Sequence, residues 1–129
     1  MYKFFASKDA LALHLFERCY RHLVEALEGA ADGGAAFDRK LEAVFAAFVR
    51  LLGDSLDAVI YANETLCKFW RKLPVASRLR SLIAILRELL VQGPEEGVLR
   101  ADLELSSTVA MMLGTFAQVA RMAYFDELK

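Results

Sequence analysis

The stretch SKDALALHLFERCYRHLVEALEG, residues 7–29, carries the reading of the fold. Within it Ala12, Phe16, Cys19, Leu23 and Leu27 return at intervals of three and four, while Glu17, Arg18, Arg21, Glu25 and Glu28 fall on the other side. That spacing makes one apolar stripe on an α-helix and does not fit the alternation of a strand. Ser7 offers an oxygen to the amides left open at a helix start, Asp9 suits the positive end, and Gly29 permits a stop. Outward from this segment the same period continues. A second helix is predicted over residues 36–52, with Phe37, Leu41, Val44, Phe45, Phe48 and Leu52 inward and Gly53 closing it. A third restarts at Asp54 or Ser55 and aligns Leu56, Val59, Ile60, Asn63, Leu66, Cys67 and Trp70. Pro74 opens a fourth along Leu79, Leu82, Ile83, Leu86, Leu89 and Leu90, since proline suits a first turn. QGPEEGVLRADLEL, residues 92–105, then breaks the period, and a fifth helix is expected from Ser106 or Ser107. The predicted class is all-α, with five or more helices in an antiparallel bundle.

The last helix differs from the rest. Val109, Met112, Phe116, Val119 and Ala123 form one face, and Met111, Thr115, Gln118, Met122 and Phe125 another, with the small residues Gly114 and Ala117 between them. A helix apolar nearly all round needs cover on more than one side. The chain's own fold is expected to cover one face and a second copy the other, which makes Met111, Gln118, Met122 and Phe125 the predicted homodimer surface. Composition agrees, because 57% of the 129 residues are hydrophobic and only 26% charged, more apolar surface than an ordinary domain buries. A ligand cavity or a subunit interface absorbs such an excess.

Charge and chemistry narrow the function classes. Sixteen basic against 17 acidic residues argue against holding nucleic acid by a broad basic field. No apolar run reaches the roughly 18 residues of a membrane span, since Arg87 and Glu88 interrupt one candidate and Gln118 and Arg121 follow the other. Cys19 and Cys67 stand inside helical patterns without metal-ligand spacing, so buried reduced thiols in the cytoplasm are expected. His14 and His22 sit among Glu17, Arg18, Arg21 and Glu25, where surface pairing outweighs a metal site. The periods bring together no nucleophile, base and orienter, and Pro94 with two glutamates makes residues 93–97 a turn and not an anion cradle. Neither catalysis nor a cofactor is expected. The candidate site is a cavity between helices. Asn63 marks it, because an amide on an apolar stripe needs hydrogen-bond partners, from neighbouring backbone, water or a ligand. Phe45, Phe48, Cys67, Trp70, Met112 and Phe116 are candidate walls, with Thr115 a further polar contact unless it sits in the dimer seam. Such walls suit an apolar or aromatic effector.

YKFFASKDAL, residues 2–11, resembles the stretch that joins the helix-turn-helix to the first regulatory helix in TetR-family transcriptional regulators, matching at Tyr2, Phe5, Ser7, Lys8, Asp9 and Leu11. Residues 91–119 are similar to that family's later loop and helix, and with the helical order between them the resemblance spans the chain. It implies a regulatory domain over residues 7–129, preceded by a remnant of the DNA-binding junction over residues 1–6. By the same resemblance Tyr2 and Lys8 are expected to touch DNA phosphates, which position a protein without reading bases. The base-reading helices would precede Met1, and a further dimer helix would follow the last. The implied function is ligand-responsive regulation, most simply repression, with no DNA reading by this chain alone. Two alternatives stay open: a headless antagonist that pairs with an intact regulator, and a small helical carrier of a lipophilic molecule.

Overall fold

The computed structural model describes residues 7–126, so Tyr2, Phe5 and the junction expected over residues 1–6 lie outside the described residues. Helix α1, Lys8–Ala31, starts where the sequence places it: the Ser7 hydroxyl accepts the Ala10 amide at 3.1 Å. Phe16, Tyr20, Leu23, Val24 and Leu27 turn inward. The helix passes the expected stop at Gly29, because a glycine permits termination without forcing it and the two alanines that follow favour helix. Helix α2, Phe37–Asp54, likewise runs through Gly53, and Ser55 serves both as its end and as the start of α3, Leu56–Phe69.

Beyond α3 the observed elements depart from the sequence reading. A single 3-10 turn, Trp70–Lys72, follows it, and the expected long fourth helix is divided into α4, Val75–Leu79, and α5, Leu82–Glu95. The division has a local cause. Ser81 is buried and its hydroxyl accepts the Ala84 amide at 3.3 Å, so a new helix is capped where the apolar period suggested an unbroken one. At its far end α5 continues through Gly93 and Pro94, which the sequence reading assigns to the break. A proline in the last turn forfeits one ladder bond, and Gly93 is required for another reason: Leu99 folds back so closely that an added Cβ would lie 2.5 Å from its Cδ1. The Gly93 carbonyl accepts the amides of Val98 and Leu99, and Gly97 makes the reversal at φ +75°. Helix α6, Leu105–Tyr124, begins earlier than predicted because the Glu104 carboxylate, not a serine, accepts the Ser107 amide at 3.2 Å.

Every regular element among the described residues is a helix, without a strand. Helix α1 lies at the middle, packed against α2, α3 and α5; α6 closes the assembly on α3 and α5 and also touches α2. The core gathers Phe16, Phe69, Leu86, Val44 and Val59, all essentially without solvent contact. Phe16 stacks on Tyr20 and meets Phe69 at a tilt of 38°, both with ring centroids 5.5 Å away, and the second contact joins α1 to α3. One cap is supplied from a distance. Ala36 has no side chain to cap α2, and the Phe37 amide instead donates to both oxygens of Glu96, at 3.1 and 3.2 Å, from the end of α5. Gln92 fixes that carboxylate and also donates to the Ala35 carbonyl at 3.0 Å.

Candidate functional site

The arrangement of α3 creates the site. Its deeply buried residues are Val59, Ala62 and Phe69, so the core-facing line is turned relative to the stripe read from sequence. Tyr61 fixes this roll by donating its hydroxyl to the Ala12 carbonyl of α1 at 3.0 Å. The edge of the stripe, Asn63, Leu66, Cys67 and Trp70, then borders a gap instead of filling the core. Across the gap stand Leu82 and Ile83 at the start of α5 and Leu113, Gly114 and Ala117 of α6, with Tyr20 from α1 and Arg71 from the 3-10 turn completing the wall. Gly114 and Ala117 contribute little side chain, and the resulting cavity holds about 560 Å³. That volume lies within the range of small-molecule sites.

Few polar groups meet this apolar wall. The Asn63 Nδ2 is buried and finds no hydrogen-bond partner among the described residues. A buried N–H left unpaired costs about 1–3 kcal/mol. Tyr20 is 5% exposed, and its hydroxyl accepts the Leu82 amide at 3.2 Å, tying α1 to the start of α5 beside the cavity. Burial pushes the Tyr20 phenol above its ordinary range, against a smaller opposing effect of that hydrogen bond, so it stays a neutral donor at physiological pH. Trp70 meets Tyr20 edge-on with centroids 6.4 Å apart. Arg71 and Cys67 are exposed at the rim.

The predicted site residues therefore separate into groups. Asn63, Cys67 and Trp70 share the cavity. Phe45, Phe48 and Phe116 meet elsewhere: Phe116 stacks on Phe48 at 4.5 Å and takes Phe45 edge-on at 5.1 Å, joining α2 to α6. They do not border the cavity, because α6 turns Leu113, Gly114 and Ala117 toward it and Phe116 toward α2. Met112 is half-buried against the core, and Thr115 is exposed with its hydroxyl donated to the Met111 carbonyl at 2.8 Å. Of the predicted dimer surface, Met111, Gln118 and Phe125 are exposed and Met122 is half-buried. Lys8 is exposed at the start of α1, and Tyr2 lies outside the described residues.

Both thiols are free, and the expectation of burial fails for Cys67, which the turned stripe leaves exposed. Cys19 is half-buried, and desolvation raises its thiol above the ordinary value, with Arg18 opposing. The sequence reading leaves Tyr20, Arg71, Leu82 and Ile83 out of the site, although Leu82 and Ile83 stand on the fourth helical stripe. Tyr20 lies next to Cys19 of the α1 stripe and outside it, and the Ser81 cap that opens a new helix before Leu82 and Ile83 leaves no periodic signal. His22 reaches the Ser55 hydroxyl at 3.2 Å, an exposed tether between α1 and the corner joining α2 to α3. Among the described residues no three His, Cys, Asp or Glu side chains cluster as metal ligands, and no helix is long and apolar enough to cross a membrane. No family model, curated protein or solved structure matches the chain.

Proposed function

We propose that this chain is the sensing and pairing part of a ligand-responsive transcriptional regulator similar to the TetR family, without catalytic activity. The observation that carries the reading is the apolar cavity of about 560 Å³ bordered by α1, α3, α5 and α6, with the unpaired amide of Asn63 in its wall. An effector with an apolar body occupies it. Tyr20 gives occupation a route outward, since it is at once cavity wall, part of α1 and hydrogen-bonded to Leu82. A ligand that favours one placement of Tyr20 over another shifts the angle of α1 by its differential affinity for the two placements. Lys8 stands twelve residues earlier, about 18 Å along the helix axis. A small rotation at Tyr20 thus becomes a displacement at the end assigned to the DNA-binding head. The net charge of −1 supports leaving operator reading to a helix-turn-helix outside this chain. The second copy sits on the outer face of α6, where Met111 and Phe125 are 71% and 65% exposed.

Deleting the coding gene and measuring transcripts of its genomic neighbours, with and without added effector, tests this reading. A change in those transcripts on deletion is the expected result. Unchanged transcripts from a protein that still fills its cavity would turn the reading to a lipophilic carrier.

A further inference from the structure

We infer that the cavity is selective for a hydroxylated lipophilic carboxylate, its acid held at Arg71 and its hydroxyl at Asn63. The inference rests on the cavity's being a ligand site and adds the chemistry of the ligand. Among the described residues that line the cavity, Arg71 alone carries a formal charge, and none of the others is an aspartate or glutamate. Among the described residues the ion pairs join Arg80 to Glu28, Arg100 to Asp102 and Arg121 to Glu64, which leaves Arg71 out. An exposed guanidinium at the mouth of an apolar cavity attracts an anion and orients a planar carboxylate through two parallel hydrogen bonds. The body of such a ligand lies against Leu66, Leu82, Ile83 and Leu113.

Inside, Asn63 sets the second requirement. Asn63 borders the cavity, its Nδ2 finds no partner among the described residues, and a half-turn of the amide exchanges nitrogen and oxygen, so the cavity is offered either a donor or an acceptor. A hydroxyl, which both donates and accepts, satisfies either orientation; a carbonyl or an ammonium satisfies only one. Asn63 and Arg71 are eight residues apart along α3 and the turn after it, about 12 Å in helical rise. A medium-length chain bearing oxygen at both ends spans that distance, whereas a short hydroxy acid reaches one group only.

The test uses Trp70, the single tryptophan of the chain and itself part of the cavity wall, as the fluorescent reporter. Dodecanoate, dodecanol, dodecylammonium and ω-hydroxydodecanoate are titrated separately into the wild-type protein, R71Q and N63L, each checked by circular dichroism. The expected results are dodecanoate binding roughly tenfold more tightly than dodecanol, loss of that preference in R71Q, and a gain for ω-hydroxydodecanoate over dodecanoate that disappears in N63L. Equal binding of acid and alcohol, or preference for the ammonium, overturns the inference while leaving the cavity a ligand site. A preference for the carboxylate that survives in R71Q, or equal binding of the plain and hydroxylated acids to the wild-type protein, overturns it as well. Failure of all four probes to alter Trp70 emission overturns both the inference and the sensing role.

Discussion

Asn63 is the residue at which folding and binding pull in different directions. Replacing it with leucine removes an unpaired buried amide in favour of an apolar side chain of similar size, and N63L is expected to be more stable than wild type by about 1 kcal/mol. Urea unfolding at neutral pH measures the difference; a loss of stability would mean that the amide is satisfied in solution. The two thiols offer a second residue-scale check. Cys67 is exposed at the cavity rim and Cys19 is half-buried with its thiol raised by desolvation, so a maleimide should modify Cys67 first. A cavity ligand should slow that reaction and leave Cys19 unaffected, as peptide mapping of the labelled protein would reveal.

Among the elements, α2 and α6 are joined by the Phe45, Phe48 and Phe116 cluster, which stands apart from the cavity. F116A is expected to cost about 3–5 kcal/mol in urea unfolding, yet to leave dodecanoate affinity within about twofold under folding conditions. A large loss of affinity would place the cluster in the binding wall. The cap from Glu96 to Phe37 makes a pH-dependent contribution. The hydrogen bond from Gln92 and then that from the Phe37 amide hold the Glu96 carboxyl below its ordinary value of 4.5. Its stabilising effect is therefore complete above the unfolded value and is lost as pH falls through the lower folded value. Melting curves of wild type and E96Q should differ most near neutrality and converge in acid. The sequence made α1, α2 and α6 legible because their apolar stripes are long and Ser7 is a strong start signal. It concealed the start of α5, since one buried serine hydroxyl overrode a continuous period. The cap from Glu96 to Phe37 was equally hidden, because it joins groups 59 residues apart. Asn63 and Trp70 could be placed at the cavity by spacing; Tyr20, Leu82 and Arg71 depend on how three elements meet.

For the whole molecule, the outer face of α6 and its end expose Met111, Tyr124 and Phe125, enough apolar surface to favour association between copies. Sedimentation at micromolar concentration should give a dimer, and the paired substitution M111E with F125S a folded monomer. A wild-type monomer at that concentration would remove pairing from the proposed role. The contact between Glu96 and Phe37 also has a consequence in time. The first amides of a helix have no partner within it and ordinarily trade their hydrogens with solvent quickly. Phe37 holds its hydrogen against a carboxylate from another helix, so its rate of deuterium uptake reports how often the end of α5 lifts away from the start of α2. If filling the cavity draws the start of α5 toward α1, the Phe37 amide will register it as a change in exchange at the opposite end of the same helix.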